Sequence, residues 1–189
     1  MDFSEDVEHC LRVLSTGGII VYPTDTVWGI GCDATSAQSV EKIFNLKRRP
    51  PKKSFIILLA DRQDILKYVS HPEPQIFEFL ETVKKPTTVI YEGAINLAEN
   101  LVGEDGSIAI RLVKDAFCRH LIKRLRRPLV STSANISGEP APGFFGEIAL
   151  EIIRGVDYTV HYRRDDLHPG EPSSVVRLQK DGTIEIIRQ

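Results

Sequence analysis

Apolar residues recur along this chain with two periods, which predicts helices and strands mixed throughout. Residues 4–16 predict a helix. Val7, Leu11 and Leu14 share one stripe, Glu5 and Asp6 suit the positive N-terminal end, and Gly17-Gly18 stops it. GIIVYP at 18–23 predicts a buried strand. Residues 33–46 predict a second helix, with Thr35 and Ser36 as capping residues and Val40, Ile43 and Phe44 at helical spacing. The apolar run SFIILLA at 54–60 predicts a strand ended by Asp61, which is placed to cap a helix carrying Ile65, Leu66 and Val69. Another helix follows His71-Pro72, with Phe77, Leu80 and Val83 inward.

Further strands are predicted at 87–91, 107–112, 128–133, 174–178 and 183–188, with a helix over 114–125. Asp181-Gly182 is a hairpin signal between the last two strands. Strands that do not alternate faithfully with helices predict an α/β architecture with a mixed sheet and helices packed on it, rather than a simple Rossmann fold. No composition shift or repeat divides the chain, so a single domain over 1–189 is expected.

Composition narrows the class. The 189 residues are 42% hydrophobic and 26% charged, which suits a globular protein that buries a core without staples. Cys10, Cys32 and Cys118 are odd in number and widely spaced, which favours reduced thiols over a disulfide framework. The acidic start MDFSEDVEH has no apolar signal core and no apolar run approaches membrane-spanning length, so a cytoplasmic protein with no membrane association is expected. A net charge of −2 argues against a whole-protein electrostatic grip on nucleic acid.

Four segments carry candidate chemistry. YPTDTVWGIG (22–31) runs from a strand into two threonines around Asp25; Thr24 and Thr26 point the same way if the chain stays extended, and the plainer reading is a polar turn in which Asp25 caps amides. KRRPPKK (47–53) puts five cations into seven residues; it reads as a solvated loop, a nucleic-acid handle or a hand for phosphates. STSANISGEPAP (131–142) offers hydroxyls, a carboxamide and backbone amides after a strand, or is a turn-rich loop. Ser107 and Arg111, with Ser174 and Arg188, lie on apolar strands, where a buried arginine needs either an acidic partner or a ligand anion. GxxxxGK[ST], HExxH and GxSxG are absent, and the five histidines show no ligand spacing, so no protein metal site is expected.

In this order the segments resemble the YrdC/Sua5 family of threonylcarbamoyl-AMP synthases. The family's YPT[DE]TxxGxG stands here as YPTDTVWGIG, its KxRPxxKxL as KRRPPKKSF, its STSANxSGxPxP as STSANISGEPAP, and its closing PSTVVxL…ILRxG as PSSVVRL…IIRQ. The chain departs from the family at Lys84-Lys85-Pro86-Thr87-Thr88, where PGPxT is usual, and at Ser54, where proline is frequent. Leu58 and Leu59 stand where some longer members carry a histidine.

The resemblance implies a twisted open mixed sheet around a concave, positively charged cavity. It implies condensation of L-threonine, bicarbonate or CO2, and ATP into threonylcarbamoyl-AMP and pyrophosphate. A separate transferase complex would use the product for the N6-threonylcarbamoyl modification of adenosine 37 in tRNA. Lys47 and Arg49 are the expected catalytic cations. ATP would be met by Lys47, Arg49, Lys53, Ser107, Ser133, Asn135 and Arg188, with Mg2+ bound through the triphosphate. Threonine and bicarbonate would be met by Thr24, Thr26, Arg111, Ser131 and Ser174. Two alternatives stay open: a YciO-like paralogue, and an RNA-binding protein that contacts tRNA or double-stranded RNA through its basic surface, to which Lys123, Arg124, Arg126 and Arg127 would contribute.

Overall fold

The computed structural model describes residues 2–50, 55–179 and 183–189. In chain order its elements are α1 (Ser4–Ser15), β1 (Ile20–Tyr22), β2 (Gly29–Gly31), α2 (Ala37–Leu46), β3 (Ile56–Leu59), α3 (Pro74–Thr82), β4 (Thr87–Tyr91), β5 (Ile108–Leu112), α4 (Ala116–Leu125), β6 (Leu129–Ser133), α5 (Leu150–Gly155), β7 (Tyr158–Thr159), β8 (Ser174–Leu178) and β9 (Ile184–Arg188). The strands form one mixed sheet in the order β7-β1-β2-β6-β3-β5-β4-β8-β9. Its β1–β7, β3–β5 and β4–β8 pairs are parallel and the others antiparallel.

Register separates the two faces, because paired residues share a face and neighbours along a strand do not. Ile57, Val130, Ile110, Val89 and Val176 line up across five strands, all buried, and make one face apolar. The opposite face carries Gly29, Ser131, Ser133, Ile56, Ala109, Arg111 and Thr88. That polar face is where the site is built.

Local chemistry accounts for most boundaries. Ser36 caps α2 by accepting a hydrogen bond from the amide of Ser39, and Asp115 caps α4 through the amide of Cys118. The expected helix after Asp61 is a 3-10 helix over Arg62–Lys67 that carries no side-chain cap. The Asp61 carboxylate instead pairs with Arg119 and Lys123 of α4, and Leu66 is exposed. Around α3, Ile76 takes the fully buried position while Phe77, Leu80 and Val83 are half-buried. Strands β2 and β7 and helix α5 were not anticipated: two are too short to show a period, and β2 has a single apolar side chain between glycines. The Asp181-Gly182 turn lies outside the described residues. Cys10, Cys32 and Cys118 are free and buried. Among the described residues, no helix is long and apolar enough to cross a membrane.

Candidate active site

The glycines of β2 make room for the site's first wall. A Cβ on Gly31 would come within 2.6 Å of the Val130 carbonyl and 2.7 Å of the Tyr22 ring. Tyr22 therefore lies across β2 and donates its hydroxyl to Val130 O at 3.2 Å. Beyond it the chain does not stay extended. The Thr26 amide donates to Thr24 Oγ1 at 3.0 Å, and that hydroxyl donates to Val27 O at 2.8 Å, forming a hydroxyl-closed turn. Thr24 and Thr26 still meet, their hydroxyls 2.8 Å apart, through the turn rather than through strand alternation.

This turn carries Asp25 across the polar face to β5, three strands beyond β2. Asp25 Oδ1 lies 3.2 Å from Arg111 Nη2, and Asp25 Oδ2 accepts the Lys114 amide at 3.2 Å. Both readings of the sequence hold in part: Asp25 takes an amide, and Arg111 has an acidic partner. Yet Nε and Nη2 of Arg111 and Oδ1 of Asp25 are buried without a hydrogen bond. The contact is an ion pair that leaves Nε and Nη2 of the guanidinium without a hydrogen bond, although Arg111 is only 4% exposed. A buried guanidinium with idle donors is unfavourable unless an anion completes it.

Arg111 lines a cleft of about 220 Å³ together with Thr26, Gly29, Arg49, Ser131, Ser133 and Arg188. Arg49 stacks over the Phe55 ring at 4.9 Å, which braces its guanidinium at the cleft wall. Burial lowers the Arg49 pKa from its ordinary value. Arg188 donates twice to Ser173 O, at 2.8 and 3.3 Å. Ser173 also lines the cleft, and its hydroxyl sits 2.8 Å from that of Thr88. A neighbouring polar cleft of about 200 Å³ shares Thr26 and Val27 and adds Thr24, Asp25, Arg163 and Gly170. Arg163 has a left-handed backbone, φ 64°, and joins Asp115 at 2.7 Å to the Thr24 carbonyl at 3.4 Å.

Lys47 has a different place from that expected of a phosphate contact. It ends α2, is 1% exposed, and does not line the cleft. Its ammonium donates to Ser133 O at 2.5 Å and Asn135 O at 2.6 Å, while its own carbonyl accepts the Ser137 amide. Burial, and then the nearby charge of Arg49, push its pKa down to about 8. Asn135 also works within the loop, donating from Nδ2 to Ile136 O and Glu139 O.

The remaining expected residues divide. Ser174 pairs with Thr87, on the face opposite Arg111 and Thr88, so Ser173 rather than Ser174 stands in the cleft. Ser107 lies ahead of β5, its amide on Asp105 and its carbonyl on the Gly103 amide, and is not among the lining residues. Lys53 lies outside the described residues. Sequence reasoning missed Ser173, Arg163 and Gly170 as site residues. For Ser173 the Pro-Ser-Ser run was the signal, but its facing depends on register.

The chain is similar to known proteins in sequence and in fold. A family model, Sua5_yciO_yrdC, described as Telomere recombination, matches residues 12–189. A threonylcarbamoyl-AMP synthase of Vibrio parahaemolyticus serotype O3:K6 is 31% identical over 188 residues, 98% of this chain and 99% of that protein. One of Vibrio campbellii is 31% identical over 139 residues, 72% of this chain and 75% of that protein. The structure of P. abyssi Sua5 complexed with L-threonine is similar with a TM-score of 0.85 at 21% identity, over 97% of this chain. The match covers 54% of the Sua5 chain, so this chain spans about half its length. E. coli YciO is similar with a TM-score of 0.84 at 21% identity, over 98% of this chain and 89% of its own. Matched by the family model over nearly all its length, the chain belongs to the Sua5/YciO/YrdC family.

Proposed function

We propose that this protein is a threonylcarbamoyl-AMP synthase, a nucleotidyltransferase that condenses L-threonine, bicarbonate or CO2, and ATP. Its support is a single cleft in which Arg111, buried and with idle donors, faces the same space as Arg49 and Arg188. A substrate carboxylate and a polyphosphate repel each other, and fixed cations offset that repulsion without reorganisation during the reaction. A guanidinium fork fits a carboxylate bidentately, which assigns the threonine carboxylate to Arg111. Thr26 and Ser131 flank that end, with Thr24 behind the turn. Arg49 and Arg188 take the phosphates and the nucleotide, with Ser133 beside them. Lys47 and Asn135 serve ATP indirectly, by shaping the Ser133 loop.

The threonine amine adds to the carbon of CO2 and loses a proton, or attacks bicarbonate with a C–O bond breaking and water leaving, and in either case becomes a carbamate. A carbamate oxygen then attacks the α-phosphorus, the bond from that phosphorus to the bridging oxygen breaks, and pyrophosphate leaves. No protein nucleophile is needed. No carboxylate lines the main cleft, and no group of three His, Cys, Asp or Glu residues among the described ones is placed to hold a metal ion. Mg2+ accompanying ATP would be held mainly by oxygens of the triphosphate. The adenylate passes to a separate transferase that modifies tRNA. Of the cations suggested for an RNA surface, Lys123 pairs with Asp61, Arg124 with Glu8 and Arg127 with Asp33.

Incubation with ATP, [14C]bicarbonate and threonine tests this. Threonine-dependent pyrophosphate and a labelled adenylate are the expected products, and their absence with the wild type overturns the assignment. Undiminished activity in Arg49→Ala would remove that arginine from its role.

A further inference from the structure

We propose that Asp25 is a positioning residue for the amino-acid substrate, holding the guanidinium of Arg111 by charge while leaving its hydrogen-bond donors for the substrate carboxylate. This rests on the assignment of the cleft to L-threonine.

The two residues belong to independent parts of the fold. Arg111 stands on β5 with Leu58 and Thr88 as its cross-strand partners, neither of which carries charge. Asp25 arrives from the β1–β2 connection and is the carboxylate that pairs with Arg111 among the described residues. Its loop is fixed three ways. The Thr24 hydroxyl closes the turn, the Lys114 amide holds Asp25 Oδ2, and Gly170 lies so close to Thr26 that a Cβ there would fall 1.8 Å from the Thr26 carbonyl. Asp25 is therefore a rigid counter-charge rather than a swinging one.

The geometry of the pair is the second observation. At 3.2 Å the charges attract, yet neither Arg111 Nε, Arg111 Nη2 nor Asp25 Oδ1 makes a hydrogen bond. A fully paired, bidentate Asp–Arg bridge would occupy the fork and compete with substrate. An unaligned pair keeps the buried cation compensated while leaving Nε and Nη2 without a hydrogen bond. Without the counter-charge, the guanidinium loses both its compensation and its orientation before substrate arrives.

The test compares Asp25→Asn and Asp25→Glu with the wild type, measuring threonine affinity by calorimetry and the KM values for threonine and ATP. Asp25→Asn keeps the size of the side chain and an oxygen for the Lys114 amide, and removes the charge. The expected result is a threonine KM and Kd raised about tenfold or more, an ATP KM within about twofold, and partial recovery of threonine affinity in Asp25→Glu. Threonine affinity unchanged or improved in Asp25→Asn overturns the proposal. Equal losses for threonine and ATP with a lowered Tm also overturn it, by making Asp25 a structural residue only. A wild type that binds threonine and yields no adenylate would refute the synthase assignment alone, and the variants' threonine affinities would still decide the role of Asp25.

Discussion

The ammonium of Lys47 lies 2.5 Å from the Ser133 carbonyl and 2.6 Å from that of Asn135, so the first cation of the basic loop is an anchor for the hydroxyl loop. The return bond from the Ser137 amide to the Lys47 carbonyl closes the clamp. The end of α2 and the loop after β6 are thus joined, with Ser133 at the cleft wall and Arg49 two residues from the anchor.

Lys47→Met removes the charged donor from the Asn135 carbonyl and leaves the Ser133 carbonyl with the Asn135 amide alone. A carbonyl left buried and unpaired costs about 1–3 kcal/mol. The urea midpoint of the variant should fall accordingly. Activity at saturating substrate should drop by about tenfold or more, because Ser133 is no longer held. A variant with wild-type kcat would show that the clamp does not shape the reaction.

The same lysine gives a pH dependence with a defined sign. Its pKa of about 8 in the folded protein lies below the ordinary lysine value of 10.5. Below about 8 the ammonium serves both carbonyls; as pH rises through that value the charge is lost and the clamp slackens. Activity should therefore decline above pH 8. Stability runs the other way for this group: between about 8 and 10.5 the unfolded chain binds more protons, so its contribution to stability rises with pH. A kcat profile beside urea titrations at pH 7 to 9 separates the two trends, and a flat kcat over that range would refute the assignment.

Much of this site was legible from residue types, and the rest depended on register and rotamers. Arg111 in an apolar strand announced a need for an anion, but its partner came from a turn far along the chain. Lys47 stood out as a candidate by its place in KRRPPKK. Its four flexible side-chain bonds left open whether the ammonium reached solvent, ligand or carbonyl. Ser173 and Ser174 are chemically alike, and only the pairing of Ser174 with Thr87 assigns one to each face. The strands β3 to β6 were visible as apolar runs, whereas β2 became a strand through pairing on both sides.

Gly170 links the 143–170 region to the threonine turn, its amide donating to Gly143 O at 2.9 Å. In Gly170→Ala the new Cβ would meet the Thr26 carbonyl carbon at 2.8 Å as well as its oxygen, and both are backbone. The clash can be relieved only by moving one segment away from the other. Overpacking of this kind destabilises by about 1–3 kcal/mol. The threonine KM should rise more than the ATP KM, because the displaced turn carries Thr26 and Asp25. Steady-state kinetics with each substrate varied in turn would check this, and equal KM changes would refute it.

Asp6 fastens the opposite side of the same scaffold. Its carboxylate accepts the Tyr158 hydroxyl at 2.7 Å and the amides of His161 and Tyr162 at 2.9 and 2.8 Å, joining α1 to the segment that leads into Arg163. Burial alone would raise its pKa. The His161 amide, the Tyr158 hydroxyl and the Tyr162 amide outweigh that effect and hold it below the usual carboxylate value. A carboxylate with a depressed pKa in the folded state stabilises fully above its unfolded value, near 4, and that stability is lost as pH falls through the folded value. Asp6→Asn keeps one acceptor oxygen but removes the charge, and charged hydrogen bonds contribute about 1.5–3 kcal/mol. The variant should melt lower than the wild type at pH 7, and the gap should close as pH drops toward 3. Thermal melts of both proteins across that range check the sign, and a constant gap would show that the charge of Asp6 is not what secures the segment.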